Sequence, residues 1–502
     1  MLLQWYPKIF SKHRVAGVEK LSNEQISVAT SDQNTKVQAF AGTGKSTSLL
    51  AYVKQHPKES ILYLCFNKPN RVQFQERIRV AGHSNVSVST THAIAKKFIY
   101  GNRNVNIVGA LSPRTISTVL SGRLAGIPPS MHMYLAHHGN KMLKAFCASK
   151  VKKIQNFDYQ SQVSEDQTSF VSHYHNEIEG IAISLMQLMT EEQMPVLHDY
   201  YLKLFQVRGI TLPFDTILFD EVQDCSPVMI DMVESQKSKN IYVGDPHQEI
   251  YAWRGAVSAF ESLSMHCLHL SESFRYGPTI AKIAMHILNW KKDLLNQTIP
   301  AKIIGAGPNN SVKGRAYISR TTVGLLHEAI FYTVENPDIK IRFQGGLASY
   351  LTHEFGFTLL DVLGIYQGKP LSKHTRTIFL QGMSFSDLVE YASITEDNQL
   401  SAFVKLCEEY GNGLPAIIKG LEKAEISDMF QVVDITMSTA HRLKGVEFLE
   451  VVIGNDFYTR EALLRRQLRG LTSVQVREEI NLLYVAVTRA AKDLVIDQVY
   501  LS

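Results

Sequence analysis

Val37-Gln38-Ala39-Phe40-Ala41-Gly42-Thr43-Gly44-Lys45-Ser46-Thr47 decides the fold. Thr35–Phe40 reads as a buried strand, the glycines as a tight turn, and the residues from Lys45 as the start of a helix. In that order the backbone N–H groups of the turn cradle phosphates, and the helix N-terminus adds a partial positive charge beside them. Ala41, Gly42, Thr43, Gly44, Lys45, Ser46 and Thr47 are therefore the candidate phosphate-binding residues. Lys45 is placed to reach the β- and γ-phosphates and the Ser46 hydroxyl to help hold Mg2+. Ala39 stands where the general pattern asks for glycine.

Working outward, Ile61–Phe66, Thr216–Phe219, Asn240–Val243 and Glu450–Ile453 are further short apolar runs, and Leu494–Val499 is the last. Strands of this kind alternating with helices predict an α/β fold whose parallel sheets are covered on both faces. Residues 101–200 read differently, as mostly helical, polar and rich in His and Lys. Residues 346–431 carry helical stretches over Phe385–Thr395, Asn398–Tyr410 and Leu414–Ala424. Both zones read as insertions into α/β cores.

The 502 residues are 45% hydrophobic and 20% charged, which excludes disordered, collagenous and low-complexity classes. The length predicts about three or four folding units. Lys plus Arg exceeds Asp plus Glu by 52 to 47, an excess that permits a polyanionic partner without demanding one. Five scattered cysteines with no CxxC spacing argue against a disulfide framework, a zinc ribbon or an iron–sulfur cluster. No apolar stretch is long enough for a membrane span, and the N-terminus lacks the order of a secretory signal. The expectation is a soluble, cytoplasmic chain with reduced thiols.

A second motif gives the phosphate loop its chemistry. The apolar strand Thr216–Phe219 ends in Asp220-Glu221-Val222-Gln223-Asp224. Beside a phosphate loop, Asp220 can hold Mg2+, Glu221 can take a proton from an attacking water, and Gln223 can sense the γ-phosphate. The two motifs together point to nucleoside triphosphate hydrolysis. The interval from Lys45 to Asp220 is longer than one compact nucleotide-binding domain needs, as the helical insertion explains.

These motifs and those that follow make the sequence resemble a superfamily 1 DNA helicase of the UvrD/Rep type. In order they include Leu21–Gln25, Cys65–Lys68, Thr90–Ala93, Val243–Ala256, Glu272–Arg275, Thr439–Phe448 and Asn481–Ala490. Such helicases often carry Ala at the position of Ala39. The resemblance implies ATP and Mg2+ as cofactors and two RecA-like P-loop domains, each with a mostly helical insertion. The implied layout is 1–100 with 201–274 (1A), 101–200 (1B), 275–345 with 432–502 (2A), and 346–431 (2B). It also implies that Gln25 contacts adenine, Phe274 lies beside the base, and Glu447 contacts the ribose. Arg275 and Arg489 take the places of arginines that meet the γ-phosphate across the cleft, and Gln248 that of a γ-phosphate sensor relaying through Trp253 and Arg254. Phe66, Asn67, Thr91, His92, Tyr251, Trp253, Arg254 and His441 fall in segments that contact DNA in the family, Phe66 and Trp253 being the best stacking candidates.

Outside the shared motifs, His198–Leu204, Asp224–Pro227, Gly244–Gln248, Ser319–Thr321 and Phe343–Gly346 resemble the F-box DNA helicase branch. That branch implies 3′→5′ translocation on single-stranded DNA, in repair, recombination or replication. Only about twenty residues precede Gln25, so an F-box and its ubiquitin-ligase assembly are not expected, and a stand-alone bacterial, plasmid or viral relative is. The expected partners are single-stranded DNA and single-strand/duplex junctions, with no membrane, and the expected working unit is a monomer. The expected location is the nucleoid in a bacterium or the nucleus in a eukaryote. A translocase that strips proteins but unwinds weakly, an ATP-gated binding switch and an RNA-directed motor stay open beside the helicase. The basic runs Lys141–Lys153 and Arg460–Arg469 read as solvated faces before they read as a phosphate path, and the histidines of Met131–His138 and His173–His175 as surface residues.

Overall fold

The computed structural model of the protein describes residues 21–251, 260, 263–299, 301–308, 312–369 and 379–501. The first sheet is built from β1 (Thr35–Ala39), β2 (Ile61–Cys65), β3 (Val86–Thr90), β6 (Thr216–Asp220), β7 (Lys239–Gly244) and β8 (His266–Leu270). Two short strands in the gap, β4 (Ile107–Val108) and β5 (Val196–Leu197), pair with each other at the two ends of the helical zone. The order across the first sheet is β3-β2-β6-β7-β1-β8, every pairing parallel. Every residue of β2 and β6 is buried, as continuous apolar runs covered on both faces must be.

Parallel register is what assembles the site. Cys65 lies opposite both Thr90 and Asp220, Asp220 opposite Val243, and Gly244 opposite Gln38. The segments that leave the carboxyl ends of these strands therefore emerge along one edge of the sheet, where ligands of such folds bind.

The second sheet follows β9 (Glu272–Ser273) and β10 (Ile304–Gly305), a separate parallel pair. It contains β11 (Arg315–Ser319), β12 (Ile341–Phe343), β13 (Ile435–Thr439), β14 (Phe448–Ile453) and β15 (Ala490–Val495), in the order β12-β13-β11-β14-β15, again all parallel. Phe448 lies opposite Ala490, so the residues just before them, Glu447 and Arg489, enter the sheet side by side. The expected last strand, Leu494–Val499, is displaced: β15 ends at Val495 and Gln498–Tyr500 is a 3-10 turn. Asp497 is the cause, because its carboxylate accepts from Val499 N at 3.0 Å and caps the turn.

The two helical zones fold as the periodicity predicts, with Phe385–Thr395, Asn398–Tyr410 and Leu414–Ala424 as helices. In the first zone the helices Pro129–Ala148 and His175–Thr190 cross so closely that a Cβ on Gly139 would fall on the Ile181 side chain. His138 is not on the surface as expected. It is buried, its Nδ1 2.9 Å from the Tyr159 hydroxyl, because the inward stripe of its helix (Leu135, Met142, Phe146) runs past it. His173 is exposed. The zones also touch each other. Tyr134 stacks on Tyr391 with ring centres 6.4 Å apart, and Gln167 Nε2 donates to Ile394 O at 2.7 Å. Among the described residues no helix is long and apolar enough to cross a membrane.

Asp456 ties the end of β11 to the helix after it. Its carboxylate accepts from Ser319 Oγ (2.7 Å) and from Arg320 N, Thr321 N and Thr321 Oγ1 (each 2.8 Å), and Thr321 caps the helix Thr322–Glu335. Asp456→Ala strands Arg320 N, Thr321 N and Thr321 Oγ1, while Ser319 Oγ keeps Thr321 O at 3.0 Å, and about 2–4 kcal/mol of stability should be lost in urea denaturation, with Asp456→Asn recovering part.

Candidate functional site

At the end of β1 the chain turns through Gly42 (φ +77°) and Gly44 (φ +79°), a region closed to most side chains. A Cβ on Gly42 would lie 2.5 Å from Arg275 Cβ and 2.7 Å from Ser273 Oγ, so only glycine admits the segment Ser273–Arg275 this close. Helix Lys45–Gln55 begins at Gly44 with no side chain capping it. An uncapped helix N-terminus behind a glycine turn suits phosphate. Ser46 and Thr47 lie in its first turn, and Thr47 Oγ1 accepts from Arg77 Nη2 at 3.0 Å. Ala41 and Thr43 are buried, the Thr43 hydroxyl donating to Phe40 O at 2.9 Å.

Lys45 Nζ lies 3.5 Å from Glu221 Oε1. Burial works against its charge, but Glu221, Asp245 and Asp220 outweigh burial and raise its pKa. Asp220 ends β6 and accepts from the Tyr63 hydroxyl (2.6 Å) and from Glu221 N (2.9 Å). Its carboxyl is pushed up by burial and by Glu221 beside it. Glu221 holds φ +57°, a left-handed backbone that costs a non-glycine residue about 1–2 kcal/mol. Burial opposes its ionisation, yet Lys45, Lys444 and the Gln223 amide hold its carboxyl low. Gln223 is held at both ends of its amide: Nε2 donates to Glu221 Oε2 (2.5 Å) while Oε1 accepts from Asp245 N (3.0 Å).

The second unit closes on this edge through Tyr484, whose hydroxyl accepts from Ala41 N and donates to Asp245 Oδ2, each at 3.1 Å. The same Asp245 oxygen accepts from Gln248 Nε2 at 2.7 Å. Gln248 Oε1 lies 3.5 Å from Arg489 Nη2, and Arg489 Nε donates to Val485 O at 2.8 Å. Arg489 is fully buried, and burial together with nearby Arg275 lowers its pKa. Arg275 pairs with Glu447 (Nε to Oε2, 2.6 Å) and donates to Thr488 O at 3.1 Å. Phe274 N donates to Gly42 O at 2.9 Å. Gln25 is buried against the loop, with Nε2 donating to Thr43 O (3.2 Å) and Oε1 accepting from Ser22 N (3.1 Å).

A groove of about 350 Å³ opens between the units beside this network, lined by Phe66, Asn67, Tyr251 and His441 together with Asp224, Gln344, Gly345, Arg442 and Lys444. Phe66 and Tyr251 face each other at 6.4 Å with planes 27° apart, and the Tyr251 hydroxyl donates to His441 O at 3.0 Å. Thr91 and His92 do not line it. Thr91 is buried with its hydroxyl on Met229 Sδ (3.5 Å), and His92 Nε2 pairs with Asp199 at 3.2 Å. Trp253 and Arg254, and with them the proposed relay from Gln248, lie outside the described residues. The basic runs are partly neutralised, Lys150 by Glu234 (2.7 Å) and Arg460 by Asp293 (2.9 Å).

The comparisons with known proteins agree with this architecture. Residues 21–264 match the UvrD/REP helicase N-terminal domain, and residues 161–499 match the UvrD-like helicase C-terminal domain. The chain belongs to the UvrD/Rep family of superfamily 1 helicases. It is 31% identical over 503 residues to the F-box DNA helicase protein 1 of Schizosaccharomyces pombe, covering 92% of this chain and 55% of that protein. It is 28% identical over 507 residues to the F-box DNA helicase 1 of Gallus gallus, covering 93% and 47%. With the ATP-dependent DNA helicase srs2 of Schizosaccharomyces pombe it shares 23% over 434 residues, 77% and 47%. The chain thus spans about half the length of these relatives.

Tyr484, Asp245 and Lys444 stand inside the motifs, yet their place in the sequence announces none of these contacts. What signal there is lies in a tyrosine among apolar residues on a helix facing the nucleotide edge, and an acid directly after a buried strand. One titration follows from the site. Burial pushes the Asp224 carboxyl up to about 6 although Lys444 pulls it down. Asp224 thus holds its proton longer folded than unfolded, so stability should fall as pH rises from 3.8 to about 6. Asp224→Asn should flatten that slope in urea titrations across the window.

Proposed function

We propose that the chain is an ATP-dependent DNA helicase that translocates 3′→5′ on single-stranded DNA and separates duplex strands, serving repair, recombination or replication as in the F-box branch it resembles. The observation that carries this reading is the convergence of both units on one phosphate loop: Lys45, Asp220 and Glu221 from the first, Tyr484, Arg275 and Arg489 from the second. Two parallel sheets with helical insertions support the division into 1A (1–100, 201–274), 1B (101–200), 2A (275–345, 432–502) and 2B (346–431).

Ser46 Oγ and the Asp220 carboxylate would hold Mg2+, which would supply charge neutralisation for the phosphates. Lys45 would exchange Glu221 for phosphate, freeing Glu221 to take a proton from the attacking water. Arg275 and Arg489 would then oppose the charge that builds on the transferring group, a role worth about 10³–10⁵ in rate. Because those arginines belong to the second unit, binding closes the cleft and release opens it.

The groove supports single-strand DNA as the track. Stacked bases repeat at about 3.4 Å, so two rings 6.4 Å apart are close to the spacing that accepts one base between them. Aromatic stacking at about 1–3 kcal/mol per base tolerates any sequence. A weakly unwinding translocase is the second reading, favoured by the contacts of the 346–431 insertion with the 101–200 helices.

ATP turnover should rise with single-stranded DNA, and a 3′-tailed duplex should open where a 5′-tailed one does not. Lys45→Ala and Glu221→Gln should each lower turnover by about 10²–10³ or more, with ATP binding retained in Glu221→Gln. Turnover indifferent to DNA would sink the motor reading, and stimulation without strand separation would select the translocase.

A further inference from the structure

Lys444 belongs to both functional regions at once. It follows the turn Ala440–Leu443 after β13, and its Nζ lies 2.5 Å from Asp224 Oδ1 and 2.7 Å from Gln248 O. The ammonium also sits 5.6 Å from the centre of the Tyr251 ring. Its side chain is 11% exposed and that of Asp224 only 2%, so this pair between the units is shielded from bulk water and from salt.

Both partners line the groove with Phe66, Asn67, Tyr251 and His441. Asp224 is the one carboxylate among those lining residues, an anion in the wall of a path that a phosphodiester would have to share. Arg442, the other lining cation with a full charge, is engaged elsewhere: it donates to Ser349 O at 2.9 Å and lies 3.8 Å from the centre of the Tyr350 ring. Lys444 is thus the lining cation that pairs with the carboxylate of the groove wall.

On the nucleotide side, Asp224 closes the turn that starts at the reacting carboxylates Asp220 and Glu221. The carbonyl that Lys444 holds belongs to Gln248, whose side chain bridges Asp245 and Arg489.

We propose that Lys444 is a shared cation which a bound DNA strand draws away from Asp224, so that filling the groove releases a restraint on the nucleotide site. The inference rests on the DNA-motor reading above and names the pair through which groove and phosphate loop are coupled. Lys444 and Asp224 are positioning residues in this scheme. The strand's phosphate replaces one carboxylate as the partner of the ammonium, and the turn carrying Glu221 and the backbone of Gln248 are freed together.

The test is steady-state ATP turnover with and without a saturating oligodeoxythymidine, on the full chain and on Asp224→Asn, Lys444→Gln and the double variant, with a fluorescent ATP analogue and a thermal melt for each. DNA-free turnover of Asp224→Asn should rise about tenfold toward the stimulated rate, shrinking the stimulation ratio by the same factor while KM for ATP moves less than about twofold. Lys444→Gln, which leaves Asp224 in place, should shift the ratio in the same direction and also weaken oligonucleotide binding. The double variant should go no further than the single ones, the mark of one shared interaction. Equal losses with and without DNA would make the pair a structural clamp and overturn the inference, as would an unchanged ratio in both single variants. A wild-type chain that DNA does not stimulate removes the motor reading itself. A stimulated wild type with unaltered variants removes this inference alone.

Discussion

Lys45 carries a positive charge out of water at the mouth of the phosphate loop, and three carboxylates, those of Glu221, Asp245 and Asp220, are arranged to meet it. Burying ions of either sign costs several kcal/mol each unless every remaining lone pair and proton is also satisfied. The neighbourhood is therefore a shell of neutral donors aimed at the acids: Tyr63 on Asp220, Gln223 on Glu221, Tyr484 and Gln248 on Asp245. The left-handed backbone at Glu221 belongs to the same balance. It turns the chain out of β6 so that Glu221 faces Lys45 and Gln223 together, and strain of this size persists only where its surroundings fix it.

That shell explains why the two sheets meet where they do. The first sheet places its acids and its glycine turn on one edge because parallel register aligns the strand ends. It does not by itself supply an acceptor to Ala41 N or, beyond His247 N and Gln248 Nε2, the third donor to Asp245. Tyr484 does both, from a helix of the second unit, and Asn481 one turn earlier on that helix donates to Glu249 O at 2.8 Å. Unmade hydrogen bonds in a buried seam are expensive, so these contacts specify the docking of the units more than they stabilise it.

The sequence legibly displayed whatever depends on local order. Buried parallel strands show as apolar runs, the phosphate loop as glycines before Lys45, and the helices over Phe385–Thr395 and Leu414–Ala424 as apolar residues at helical spacing. What it concealed was long-range. Gln223 reads as a free sensor until its amide is seen spent on Glu221 and Asp245, and the amide of Gln25 is likewise shared between Ser22 and Thr43. His138 reads as polar and exposed because nothing in its own helix announces the Tyr159 hydroxyl that allows its burial. Asp497 ends a strand that hydropathy alone would prolong.

The groups that would engage a triphosphate are already engaged with one another: Lys45 with Glu221, Arg275 with Glu447, Arg489 with Gln248, Ala41 N with Tyr484. Substrate binding at such a site exchanges partners and creates few new contacts. The net worth of each exchange is then of the order of an intramolecular hydrogen bond to a charged group, about 1.5–3 kcal/mol, below its gross strength. Several exchanges made together still suffice to bias the docking of two units that share this seam, and none of them is too strong to reverse when the phosphate leaves. A seam of weakly committed, mutually satisfied ions is thus the physical condition that the proposed motor would need for a cleft that closes and reopens on every turnover.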